Sequence, residues 1–107
     1  MPSARTLASL FEDEPRQWGL RGDPHLWRDI QRTLSDAVFP DTEAQLTAAL
    51  EQIFQELTGV PLSHGDPVYV ERYSPDGMSG GFVSPKFWFE TALPLLRARY
   101  RAANDHC

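Results

Sequence analysis

Val68-Tyr69-Val70-Glu71-Arg72-Tyr73-Ser74-Pro75-Asp76-Gly77-Met78-Ser79-Gly80-Gly81-Phe82-Val83 separates an α+β reading of this chain from an all-helical one. Its first half is rich in β-formers, with Val68 and Val70 on one face and the tyrosines on the other. Ser74-Pro75-Asp76-Gly77 suits a type I turn, with Pro in second place and Gly in fourth. The pattern predicts a hairpin with strands over 67–73 and 78–83. Gly80 and Gly81 weaken the return strand and suggest a bulge or a close backbone approach.

Helical signals lie on both sides. Leu7, Leu10 and Phe11 predict a short helix over 6–12, frayed at its end because Glu12, Asp13 and Glu14 oppose the macrodipole. Asp23-Pro24 is a start signal, Asp23 being able to cap the free N–H groups, and a helix over 24–39 follows. Leu26, Trp27, Ile30, Leu34, Ala37 and Val38 form its apolar stripe, leaving His25, Arg28, Asp29, Arg32 and Asp36 on the wet side. Asp41 or Thr42 caps a helix over 42–58, Gln45 standing three residues after Thr42 as a capping box requires, and Gly59 ends it. Ser84-Pro85 opens a last helix over 85–102, expected to be the most buried and to kink at Pro94, with Arg97, Arg99 and Arg101 suiting its C-terminal dipole.

The expected architecture is four helices on a small antiparallel hairpin in one domain, 1–107, with 1–4 and 103–107 as frayed ends. Two strands alone are marginal. A third short strand from 16–20 or 60–62, or a second copy of the chain pairing as a homodimer, would complete the sheet.

Composition narrows the functional classes. With 107 residues, 41% of them hydrophobic, the chain can bury a core of its own. A net charge of −5 disfavours nucleic acid as a partner, and no apolar run approaches the roughly 20 residues of a membrane span. No secretory leader is evident, so the expected location is the cytoplasm. Cys107 is the one cysteine, and His25, His64 and His106 stand far apart, so neither a thiolate nor an imidazole metal site is expected, nor any cofactor.

Two glycine-bearing segments are the places to look for a site. In Trp18-Gly19-Leu20-Arg21-Gly22-Asp23-Pro24, glycines bracket an Arg ahead of a helix N-terminus, where free N–H groups can hold an anion; the plainer reading is a capped helix with Arg21 paired to an acid. Ser79, Gly80 and Gly81 form the second, read as a ligand turn or as a bulge packed on Trp88. Arg72 falls on the valine face of its strand, so it must be paired, with Glu90 or Asp23, or line a pocket. Ser79 with His64 and Asp66, and Glu71 with Glu90, have the residue types of catalytic sets but no supporting motif, and no catalytic residue is assigned.

The stretches Trp18–Trp27 and Tyr73–Tyr100, above all Trp18–Pro24 and Met78–Trp88, resemble those of small uncharacterised bacterial proteins, a resemblance that implies no activity. Small size, acidity and abundant Trp and Tyr point to a protein-binding module with a basic partner, such as an inhibitor or immunity-type protein, rather than an enzyme. The alternative is a protein or enzyme that binds a small anion at a polar site around Arg21, Asp23, Arg72, Ser79, Gly80 and Gly81.

Overall fold

Among the described residues, helical periodicity and β-formers sort the chain into three helices, two 3-10 turns and one short hairpin. A computed structural model describes residues 6–73 and 81–104. α1 is Asp23–Thr33, α2 is Glu43–Thr58, and α3 runs unbroken through Pro85–Phe87, Trp88–Ala92 and Leu93–Asn104. β1 (Val68–Tyr69) and β2 (Phe82–Val83) pair antiparallel, Val68 opposite Val83 and Tyr69 opposite Phe82. The expected turn at 74–77 lies outside the described residues, as do Ser79, Gly80, residues 1–4 and 105–107 of the expected frayed ends.

The α+β reading holds, with three helices rather than four among the described residues. The segment expected as the first helix is a 3-10 turn, Leu7–Phe11. Its end is held by other elements, since Trp27 Nε1–H donates to the Phe11 carbonyl at 3.0 Å and Arg99 donates to that of Leu10 at 2.8 Å. Carbonyls used this way need no further helical turn.

α1 stops at Thr33, six residues before the expected end, and Val38 leaves the predicted apolar stripe to bridge Thr6, 85% exposed. α2 matches its expected span closely. Thr42 Oγ1 accepts from Gln45 N–H, Gln45 Oε1 accepts from Asp41 N–H, and Gly59 ends the helix at φ 84°. Glu43, in its first turn, takes Arg97 at 3.1 Å and Arg101 at 2.6 Å, which ties α2 to α3 and holds the Glu43 carboxyl below its usual value.

The irregularity expected near Pro94 takes the form of a π segment, Trp88–Ala92. Proline has no N–H to give the Glu90 carbonyl. The ladder changes step just before it, with Leu93 N–H reaching back to Trp88 O. Trp88, Ala92, Leu93, Leu96 and Tyr100 then face the core, whereas Phe89 is 53% exposed.

The core is an aromatic chain linking three elements. Trp27 of α1 lies 4.8 Å from Phe11 and 5.9 Å from Trp88 of α3, and Phe54 of α2 lies 6.0 Å from Trp88. Such pairs add roughly 0.5–1.5 kcal/mol each beyond area burial. Leu26, Ile30, Leu46, Leu50 and Leu96 fill the space around them.

No third strand joins the hairpin among the described residues. Cover comes from elsewhere. Val83 is fully buried, and the loop before α1 reaches the hairpin through Gly22 N–H, which donates to the Phe82 carbonyl at 2.7 Å. The strand expected to run to Tyr73 ends at Tyr69, and Glu71–Tyr73 turns as a 3-10 helix instead. That turn buries Tyr73 and brings Arg72 outward, so Arg72 is exposed rather than set among the valines. No described helix is long and apolar enough to cross a membrane.

Candidate functional site

The first glycine-bearing segment meets the described end of the second, with Gly22 against Gly81 and Phe82. Gly22 lies against Phe82 so closely that a Cβ there would collide with the Phe82 carbonyl oxygen. At Gly19 an added Cβ would stand 2.6 Å from Phe87 Cβ and 2.9 Å from Asp23 Oδ2. Neither glycine serves an unusual φ; both are required by proximity.

Asp23 closes this junction. Fully buried in the first turn of α1, it accepts from Leu20 N–H at 2.6 Å through Oδ2, and from Ser84 N–H at 3.0 Å and Trp88 Nε1–H at 2.8 Å through Oδ1. It therefore does not cap its own helix, as the Asp-Pro signal suggested. It fastens the start of α3 to the start of α1, while Ser84 Oγ caps α3 by accepting from Phe87 N–H at 3.2 Å. Burial raises the Asp23 pKa, and the three donors oppose the rise. Of the N–H groups in the Trp18–Pro24 segment, this carboxylate takes up that of Leu20.

Of the remaining predicted residues that are described, Arg21 and Arg72 border different hollows. Arg21 is exposed and forms no ion pair among the described residues; with Trp18, Gly19, Leu20 and Pro24 it borders a largely apolar hollow of about 470 Å³. Arg72 borders a different one. Its partner is neither Glu90 nor Asp23 but Asp29, at 3.6 Å. Gly81 is buried, its carbonyl accepting from Val70 N–H at 2.8 Å, and Glu71 and Glu90 are both exposed.

Two features stand out that the sequence reading passed over. The first is a polar cleft of about 420 Å³ between α1 and the 71–73 turn, lined by His25, Arg28, Asp29, Arg32, Arg72 and Tyr73. Asp29 is its centre, accepting from Tyr73 O–H at 2.7 Å with Arg32 at 3.5 Å and Arg72 at 3.6 Å. Burial first, then the bond to Asp29, pushes the Tyr73 phenol above its ordinary value. His25 stacks on the Tyr73 ring at 5.8 Å. The signal was present in the sequence: residues 25, 28, 29 and 32 repeat at three and four, so the wet side of α1 is itself a stripe.

The second is the outer face of the hairpin. Tyr69 and Phe82 stand opposite each other across the strands, edge to face at 5.2 Å, and are 44% and 41% exposed. Among the described residues no group of three or more His, Cys, Asp or Glu is placed to hold a metal. No protein-family model, no curated protein and no solved structure matches the chain.

Proposed function

We propose that this chain is a protein-binding module whose contact surface is the outer face of the hairpin. The observation that carries the reading is the Tyr69–Phe82 pair, two large rings held edge to face on the side of the hairpin away from buried Val83. Aromatic residues are the commonest anchors of protein interfaces, and rigid ones lose little entropy on binding. The Gly22 bond to Phe82 and the burial of Val83 set the pair in place before any partner arrives.

The net charge of −5 favours a basic partner and works against a second copy of the same chain. Gly22 already takes the Phe82 carbonyl on β2, which further disfavours a homodimer built by extending the sheet there. A small acidic module presenting fixed aromatic rings to a basic protein is the chemistry of an inhibitor or immunity-type protein acting in the cytoplasm.

The test compares the wild-type chain with Tyr69→Ser/Phe82→Ser. Crosslinking in the native host identifies the bound protein, and titration calorimetry with that purified protein measures the affinity. Loss of two anchors weakens binding by about 30-fold or more for each. Both side chains are exposed, so the variant keeps its fold. Equal affinity for the double variant, or no crosslinked protein above background, contradicts the proposal.

A further inference from the structure

The cleft on α1 runs against the charge of the molecule around it. Three guanidiniums line it with one carboxylate, Asp29, in a chain whose net charge is −5. Glu14, outside the cleft, holds Arg28 at 3.2 Å. Arg32 and Arg72 are then the open pair, 79% and 61% exposed, and each meets Asp29 at a distance well beyond the roughly 2.7–2.9 Å of a strong charge-assisted hydrogen bond. Each guanidinium carries five N–H donors, and among the described residues the acid that each meets is Asp29. The two come from separate elements, α1 and the 71–73 turn, and Tyr73 fixes one element to the other by donating its O–H hydrogen bond to Asp29.

The geometry points to a phosphate-binding cleft that takes free phosphate or a small phosphate monoester between Arg32 and Arg72, with His25 and Arg28 at its sides. A carboxylate can be satisfied by one guanidinium fork. A phosphoryl group brings nearly two negative charges and three acceptor oxygens, which two guanidiniums converging from different elements can share. The volume of about 420 Å³ lies in the range of small-ligand sites and leaves room for an organic remainder. Asp29 links the two arginines, one guanidinium to each carboxylate oxygen. This cleft is independent of the hairpin face, and either can fail without the other.

The experiment is a titration of the full chain with inorganic phosphate, followed by amide-detected NMR at constant ionic strength, with chloride and acetate as controls and glycerol 3-phosphate as the monoester. Saturable shifts confined to His25–Arg32 and Glu71–Tyr73 are expected, with Arg32→Gln and Arg72→Gln each weakening binding about tenfold. Both side chains are exposed, so these variants fold. A monoester that binds as tightly as phosphate identifies the monoester as the ligand class, and one that is excluded identifies the free ion. Shifts that do not saturate, that chloride or acetate reproduces, or whose midpoint is unchanged by either substitution would overturn the proposal.

Discussion

Asp23 and Asp29 stand six residues apart on one helix and do opposite things. Asp23 is sealed, its oxygens taken by two backbone N–H groups and an indole from elsewhere in the fold. Asp29 is partly open, shared by a phenol and two loosely held guanidiniums. The difference teaches where function can sit on this scaffold. A carboxylate whose donors are all satisfied inside the protein is part of the architecture, whereas one ringed by under-used donors leaves those donors for a ligand.

The comparison breaks most readily at Asp23. Asp23→Ala strands three donors at the junction and is expected to cost about 3 kcal/mol, read by urea unfolding. Asp23→Asn, which keeps one acceptor oxygen, should cost less. The pH dependence follows from the raised pKa of Asp23. The folded state holds this proton more tightly than the unfolded chain does, so the group's contribution is full below its ordinary value of 3.8 and declines as pH rises through the folded value. The stability gap between wild type and Asp23→Asn should therefore narrow as pH rises from 3.8, and a widening gap would contradict the assignment.

Next in size is Gly22→Ala, where a methyl group meets backbone rather than a flexible side chain. A cost of about 2 kcal/mol is expected, measured the same way. At the open end of the comparison, Tyr73→Phe removes one hydrogen bond to a carboxylate and should cost about 1 kcal/mol by thermal or urea unfolding. Smallest of all, Arg32→Gln breaks an exposed pair and should change stability by less than about 0.5 kcal/mol. If the Tyr73 and Arg32 variants proved as damaging as Asp23→Ala, the two carboxylates would not differ as described.

Local rules made much of this legible in the sequence. The capping box at Thr42, the stop at Gly59, the Ser84 cap and the hairpin pairing are all short-range chemistry, and they appear where the residues place them. The failures are long-range. Asp23-Pro24 looks like a helix cap, and nothing nearby reveals that Ser84 and Trp88 will come to it from α3. Alternation predicted that Arg72 would face inward, but the strand ends at Tyr69 and a 3-10 turn carries Arg72 out toward Asp29. Gly19 and Gly22 allow an anion loop or a plain capped helix, and neither reading shows the close packing against Phe87 and Phe82 that requires them. The charged stripe on α1 was legible as spacing but not as a cleft, because its other wall is supplied by residues 71–73.

Amide-detected NMR during the phosphate titration tests the contrast most directly, because one spectrum reports both ends of α1. The account predicts that amides of His25–Arg32 and Glu71–Tyr73 shift, while the Trp88 indole N–H and the Leu20 and Ser84 amides stay in place and exchange slowly with solvent. Movement at Trp88, Leu20 and Ser84 with silence along the α1 stripe would contradict it.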